Sequence, residues 1–334
     1  MTDLLVGRAF SVGGRRVYED RLITETITLA SDRMLTLAIV ADGEGGEGRG
    51  DRAAQIAVDA VLSHLRENTK RDGVTALLSA AMEHASEQVH SFAWEQRPDE
   101  VRTTLTVAAV SEENVLFIGN IGNGGVYLHR LDEPDSGLRK LTQDHTLFNS
   151  QMFEGASRER LQRKHEDQSP SLMRVLGRQL DVEPDMGIYL DIDNYLRANQ
   201  RGVGGLELRP GDSILVCSDG LFSQSENGDR QLVTEGEVAE ILSLEEGDSA
   251  ARMLVNLANS REPGDNISAA VLQLPDPRRK EVKQRRRIVN VGVVGTVAAF
   301  MVAALLFTVF RQGQQIDAIS QLATQQAEFA VFEQ

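Results

Sequence analysis

The sequence is poor in cysteine, in positive charge and in apolar character at its start, and each shortage excludes something. Its 334 residues contain a single cysteine, Cys217, so no intramolecular disulfide can form, in keeping with a reducing compartment. Acidic side chains outnumber basic ones by 50 to 35, giving a net charge of −15. The imbalance is uneven: residues 278–334 carry eight Lys or Arg against four Asp or Glu, which leaves 27 basic and 46 acidic side chains in residues 1–277. A domain with that field repels nucleic acid and favours a cation site. The first twenty residues hold no long apolar run, so no secretory signal is expected. No internal repeat is visible. With 41% hydrophobic and 25% charged residues, the chain can bury a sizeable core as one large domain with appendages or as two small ones.

One apolar run stands out near the C-terminus. Ile288–Phe310 is 23 residues without a charge, with Asn290 as its one strongly polar side chain. As a helix it would extend about 35 Å, enough for a hydrocarbon core of roughly 30 Å; the alternative is a buried core helix. Seven Lys or Arg lie in 278–287 and only Arg311 follows the run closely. That asymmetry predicts a single-pass plasma-membrane protein with 1–287 in the cytoplasm and 311–334 outside. The expected organisation is a folded domain over 1–274, a basic juxtamembrane linker over 275–287, the transmembrane helix over 288–310 and a short extracytoplasmic tail over 311–334.

Short β-branched apolar runs at Leu35–Ala41, Thr104–Val110, Val115–Asn120, Val126–Arg130, Ser213–Ser218 and Ile267–Leu274 predict strands. The close spacing within 104–130 suggests an antiparallel meander. Helical periodicity marks Ala53–Glu67 and Val74–Phe92, and Ser249–Ala258 reads as another helix. Thr234 three residues before Glu237 is a capping-box pattern opening a helix through Leu244. Residues 145–205 look irregular, with Asn194–Gly205 as an exposed loop. Blocks of strands with paired helices between them indicate a layered α+β domain.

Acidic residues recur at strand ends and turns: Glu19 and Asp20, Asp42, Asp219 and Asp265. Asp42 and Asp219 share one context, an apolar strand running into Asp-Gly, where glycine lets the chain turn and bares a carbonyl. Several such carboxylates converging would form an oxygen-rich site for magnesium or manganese. Any one of them alone could equally mark a turn.

In order along the chain, these residues fall in short motifs. R-x-x-x-E-D (Arg15, Glu19, Asp20) is followed by V-A-D-G-x-G-G (Val40 to Gly46), T-T-L (Thr103–Leu105) and L-T-x-D-H (Leu141 to His145). V-L-G (Val175–Gly177), C-S-D-G-L (Cys217 to Leu221) and G-D-N-I-S (Gly264 to Ser268) complete the set. From about Gly7 to Leu274 the chain resembles the metal-dependent protein phosphatases, the type 2C serine/threonine phosphatases, in their bacterial form. The resemblance implies a four-layer α-β-β-α sandwich with two divalent cations, magnesium or manganese, at one end. It implies hydrolysis of phosphoserine and phosphothreonine by a metal-bridged hydroxide. Carried over by motif, Asp42 bridges the metals, Asp219 and Asp265 complete the first metal's shell, and the Gly43 carbonyl helps hold the second. Glu19 and Asp20 contact that metal's waters. Arg15 binds the substrate phosphate, to which a guanidinium offers paired donors, and the motif spacing selects it over its neighbour Arg16. The implied partners are phosphorylated proteins and a membrane-associated Ser/Thr kinase that the enzyme opposes.

Two positions depart from the family pattern. Asn123, in Gly122-Asn123-Gly124-Gly125, stands where the family carries an aspartate supporting a further, weaker metal. Turnover is what this puts in question, and it keeps open a second reading: a weakly active or inactive phosphatase fold used in binding or signalling. Glu44 stands where relatives place a His or Met and reads as an outer or solvated residue; His145 reads as structural. A literal G-x-G-x-x-G from Gly43 to Gly48 is no dinucleotide site, because Asp42 would face the pyrophosphate and Asp59 lies within a helix. Cysteine-based phosphatase chemistry is excluded, since no Arg follows Cys217 by six residues.

Overall fold

The structure is a computed structural model that describes residues 4–46, 48–68, 73–96, 100–133, 137–147, 149–150, 171–190, 195–228 and 230–284, with isolated positions beyond 306. The chain divides into two units, Met1–Arg279 and Lys280–Gln334.

The first unit contains eleven described strands: β1 (Leu5–Ser11), β2 (Asp20–Thr28), β3 (Met34–Glu44), β4 (Arg102–Thr103), β5 (Leu105–Ser111), β6 (Val115–Ile121), β7 (Gly125–His129), β8 (Leu138–Lys140), β9 (Leu206–Glu207), β10 (Ser213–Cys217) and β11 (Ile267–Gln273). Its helices are α1 (Arg49–Glu67), α2 (Val74–Gln96), α3 (Tyr195–Gly204), α4 (Glu235–Leu244) and α5 (Gly247–Asn259). One sheet has the order β1-β11-β10-β7-β8 and the other β2-β3-β5-β6-β9, with β4 paired to the end of β3. Helices α1 and α2 cover the second sheet, while α4 and α5 cover the first. The expected α-β-β-α layering is therefore present.

The period of two along each central strand builds the layers. In β3, Leu35, Leu37, Ile39 and Ala41 pack with the α1–α2 core, and Ala38 and Val40 face the opposite sheet. In β11, Ile267, Ala269 and Val271 face α4 and α5, and Ala270 and Leu272 face the opposite sheet. Covered on both faces, these strands read as continuous apolar runs, which is why the sequence revealed them. A one-residue slip would exchange the two faces of every such strand. With about 1.5–3 kcal/mol for each large buried apolar side chain, the register is strongly fixed. The capping box of α4 is also formed, with Thr234 Oγ1 accepting from the Glu237 amide at 3.3 Å and Glu237 Oε2 accepting from the Thr234 amide at 2.9 Å.

Three expectations change. The stretch 104–130 is not one meander: β5 and β6 pair, but β7 pairs with β10 in the opposite sheet. The turn at 122–124 thus carries the chain from one sheet to the other. Most of the loop expected at Asn194–Gly205 is helix α3, whose polar sequence buries only Ala198 and Gly202. It is held mainly through its backbone, with Thr75 Oγ1 donating to the Gly202 carbonyl at 2.7 Å and the Ile188 amide to the Ala198 carbonyl at 3.0 Å. Its large apolar side chains, Tyr195, Leu196 and Val203, stay exposed instead of joining the core. Third, the folded unit runs to Arg279 rather than stopping at Leu274. Arg279 is buried and donates to the Gly211 carbonyl at 3.0 Å, to Ser213 Oγ at 3.2 Å and to the Leu242 carbonyl.

In the second unit the apolar run 288–310 lies almost wholly outside the described residues. Among the described residues no helix is long and apolar enough to cross a membrane.

Replacing Arg279 by Ala strands buried acceptors, each worth about 1–3 kcal/mol. Urea unfolding of Arg279→Ala should show a loss of about 2–4 kcal/mol. An unchanged midpoint would place the end of the domain before Asp276.

Candidate metal centre

The β2–β3 hairpin sets the first pair of carboxylates. Its register places Asp20 directly opposite Asp42 at the end of the sheet. Asp42 is held by its backbone: its amide donates to Thr104 Oγ1 at 3.0 Å, and its carbonyl accepts from Thr103 Oγ1 and the Thr104 amide, both at 2.9 Å. Thr103 is fixed in turn by paired backbone bonds with Leu176 of the V-L-G run. Neither glycine of the two Asp-Gly pairs has a positive φ. Both are required by close approach: a Cβ on Gly43 would lie 2.1 Å from the Gly50 carbonyl oxygen, and one on Gly220 would lie 1.9 Å from that of Asn266. The turn reading fails at Asp42-Gly43, where β3 runs on to Glu44, and holds at Asp219-Gly220, where Asp219–Leu221 forms a 3-10 turn. The contact at Gly43 seats the start of α1 against the end of β3.

The opposite sheet supplies Asp219, just after β10, and Asp265, just before β11. Between the sheets, buried Ser268 donates from Oγ to Asp20 Oδ2 at 2.6 Å, and its amide donates to Ser218 Oγ at 3.1 Å. Asn266 clamps the loop that carries Arg15. Its Nδ2 donates to the Val12 and Val17 carbonyls at 2.8 and 3.0 Å, and its Oδ1 accepts from the Glu19 amide at 2.7 Å. Arg15 reaches Asp265 Oδ2 with Nη2 at 3.0 Å and the Gly264 carbonyl with Nε at 3.1 Å.

These groups meet at a cavity of about 470 Å³ lined by Arg15, Glu19, Asp42, Gly43, Asn123, Asp219 and Asp265, with Glu44 and Arg102 also on its wall. Asp20 lies fully buried beside Asp42. Arg16 is exposed and does not line the cavity. Every acidic residue proposed from the motifs is thus brought to one place. Asn123 joins them by donating from Nδ2 to Asp219 Oδ2 at 2.6 Å. Glu44 is exposed, as expected of an outer residue, and is also paired with Arg102 through bonds of 2.7 and 2.6 Å. His145 accepts the Gly122 amide at Nδ1 (3.1 Å) behind the 122–124 turn, a structural position. Burial pushes the Cys217 thiol up to about 12, so it is no nucleophile. Sequence reasoning assigned no role to Thr103, Thr104, Ser218, Ser268 or Asn266. All five sit inside the quoted motifs, and that adjacency was the available signal.

The electrostatics call for a cation. Burial first, then the charges of Asp20, Asp219 and Asp265, hold Asp42 well above the usual carboxylate range. Burial likewise raises Asp20 to about 6, and raises Asp219. Among the described residues, Glu19 Oε1 and Asp20 Oδ1 are buried without a hydrogen-bond partner. Such orphaned anionic oxygens fit a hard divalent ion, which oxygen donors suit. No group of three His, Cys, Asp or Glu among the described residues forms a ready metal-holding set. Neutral or cationic partners draw the carboxylates aside instead: Arg15 engages Asp265, Asn123 engages Asp219 and Ser268 engages Asp20. Binding then requires these pairs to yield.

Without cations, protons relieve the same crowding. In chelator, folded Asp20 keeps a proton up to about pH 6, whereas the unfolded chain loses it near pH 4, around about 3.9. Thermal stability should therefore fall as pH rises through that window. Manganese at pH 7 should raise the melting temperature, and Asp42→Asn should abolish the rise. A melting temperature indifferent to manganese in the parent chain would refute a cation site.

Residues 19–259 match the family model described as protein phosphatase 2C. A serine/threonine phosphatase of Listeria innocua is 26% identical over 241 residues, covering 71% of this chain and 84% of that protein. The serine/threonine protein phosphatase PstP of Mycobacterium tuberculosis is 28% identical over 258 residues, covering 77% of this chain but only 43% of that protein's length. A crystal structure of a PstP catalytic domain with two manganese ions superposes with a TM-score of 0.59 at 26% identity, covering 82% of this chain and 99% of that one. With the family model spanning most of the folded unit, the chain belongs to the protein phosphatase 2C family and is a protein phosphatase.

Proposed function

We propose that this chain is a metal-dependent protein serine/threonine phosphatase working at the carboxylate cluster between its sheets and tethered to a membrane by residues 288–310. The chemistry rests on one observation: Glu19, Asp42, Asp219 and Asp265 share a cavity with Arg15, and buried Asp20 lies beside Asp42. Asp42, Asp219 and Asp265 would hold one divalent cation, and Asp42, the Gly43 carbonyl, Glu19 and Asp20 would hold a second. The PstP catalytic domain that holds two manganese ions supports manganese as the metal. When bound, such ions supply hydroxide near neutral pH and offset negative charge on the phosphoryl oxygens.

The chain's own groups do the rest. Thr103 and Thr104 fix Asp42 by its backbone, so its oxygens stay aimed at the cavity while the side-chain partners around it exchange. Arg15 is 56% exposed and Asp265 37%, so a substrate phosphate can take over the guanidinium as Asp265 turns to the metal. Asn266 keeps the Arg15 loop in place during that exchange. Both oxygens of Glu44 face Arg102, so Glu44 is not aimed at a leaving oxygen. Asn123 holds Asp219 through a neutral amide where a carboxylate would add a charge, which points to slow turnover rather than to a lost activity. The intact ligand set supports catalysis over a purely binding role.

The tether is supported by the uncharged 23-residue run and the seven basic residues before it. It puts the catalytic domain on the cytoplasmic face of the plasma membrane, near phosphorylated proteins and a membrane-associated Ser/Thr kinase.

The full chain with manganese should hydrolyse a phosphothreonine peptide, and Asp42→Asn and Asp219→Asn should each lower kcat by about 10³ or more, the scale of lost electrostatic stabilisation. Equal rates for all three proteins would overturn the phosphatase assignment of this site. Separately, the expressed chain should sediment with membranes after an alkaline wash. Recovery in the soluble fraction would refute the tether alone.

A further inference from the structure

We infer that Arg102, fixed at the cavity wall by Glu44, selects substrates carrying a second acidic group close to the phosphorylated residue. This rests on the phosphatase reading above and names its substrate class. The antiparallel pairing of β3 with β4 sets Glu44 opposite Arg102, one residue beyond Gly43. Nε and Nη2 of Arg102 donate to the two oxygens of Glu44 at 2.7 and 2.6 Å. Both side chains line the same cavity as Asp42 and Arg15.

The geometry gives the pair an outward polarity. A guanidinium carries five N–H donors in a rigid fork, and Glu44 engages two of its nitrogens. The carboxylate, although 63% exposed, has both oxygens committed to Arg102. The guanidinium is 35% exposed and retains donors that no other acceptor among the described residues takes. The unused N–H groups of Arg102 are what the pair offers to an incoming anion. Because the fork is held before substrate arrives, little rotamer freedom remains to be lost on binding. Arg15 comes to the cavity from the loop tied to Asp265, and Arg102 from β4, so the two cations reach a bound substrate from separate elements. A phosphate at the metal site and a second anion nearby would each meet a guanidinium. That second anion is a carboxylate or a second phosphate. An ion pair that merely fastens β4 to β3 would treat all substrates alike.

The test is steady-state kinetics of the full chain with manganese on four phosphothreonine peptides of one sequence. Their neighbouring residues are alanine, glutamate, lysine or a second phosphothreonine. An aryl phosphate without a peptide reports whether each variant still has a working centre. The parent chain should prefer the glutamate or doubly phosphorylated peptide over the alanine peptide by about tenfold in kcat/KM, the scale of one charge-assisted hydrogen bond. Arg102→Ala should bring that ratio to about one. Arg102→Lys should retain part of it. A larger ratio for the second phosphate than for glutamate assigns the subsite to phosphate, and equal ratios assign it to any acidic group. A parent chain without the preference, or an Arg102→Ala chain that keeps it, overturns the inference while leaving the phosphatase reading intact. No hydrolysis of any substrate by the parent would instead overturn that reading.

Discussion

Carboxylates crowded at the end of a β-sandwich repel one another and are costly to ionise together unless a positive charge joins them. That constraint organises this molecule. The β2–β3 register fixes Asp20 against Asp42, and strands β10 and β11 bring Asp219 and Asp265 to the same place from the other sheet. The supporting side chains are neutral hydroxyls and amides: two threonines, two serines and two asparagines that fix positions without discharging the site. Among the described residues, Arg15 is the cation paired with one of these carboxylates, that of Asp265. The cluster keeps its appetite for a cation because the scaffold satisfies its geometry and leaves its charge unmet.

The site also depends on two sheets staying in one alignment. Ala38 and Val40 of β3 pack against residues such as Val216 of β10 and Ala270 of β11 in a layer between the sheets. These small and β-branched side chains let the sheets lie close together. A change in that layer would move Asp42 relative to Asp219 even if each strand kept its own structure. Affinity for a two-ion cluster is sensitive to such spacing, so core packing and metal binding are coupled here through rigid strands rather than through any single contact.

Much of this was legible in the sequence, for reasons that differ from element to element. Strands such as β3 and β11 announce themselves because both faces are buried. The carboxylates are legible because short motifs in fixed order place them at strand ends. Helix α3 is not, because it is held by backbone hydrogen bonds and buries almost no side chains. The crossing of β7 to the opposite sheet is hidden for another reason. A short connection looks the same whether the next strand pairs beside its predecessor or across the sandwich, and only the packing of Val126 and Leu128 between the sheets decides it. Asp-Gly misled at one of its two positions: the chain turns at Asp219-Gly220 but runs straight on at Asp42-Gly43, and both glycines serve close backbone contact. The Glu44–Arg102 pair could not be read from sequence at all, since 57 residues and two helices separate β3 from β4.

The overall field makes the local one matter. Residues 1–277 carry a large acidic excess, so a phosphoprotein approaching the domain is repelled at long range. Screening limits that repulsion to about 8 Å at physiological ionic strength, which leaves recognition to charges at the cavity itself. Two arginines and five carboxylates line it. Alone, that lining would reject a phosphate dianion; with two divalent cations its charge becomes slightly positive and the same walls attract one. Metal loading is then a condition for substrate binding as well as for chemistry. A basic linker and an apolar run beside the domain would add proximity where the field of the protein supplies none, since effective concentration can replace affinity when both reactants share a surface.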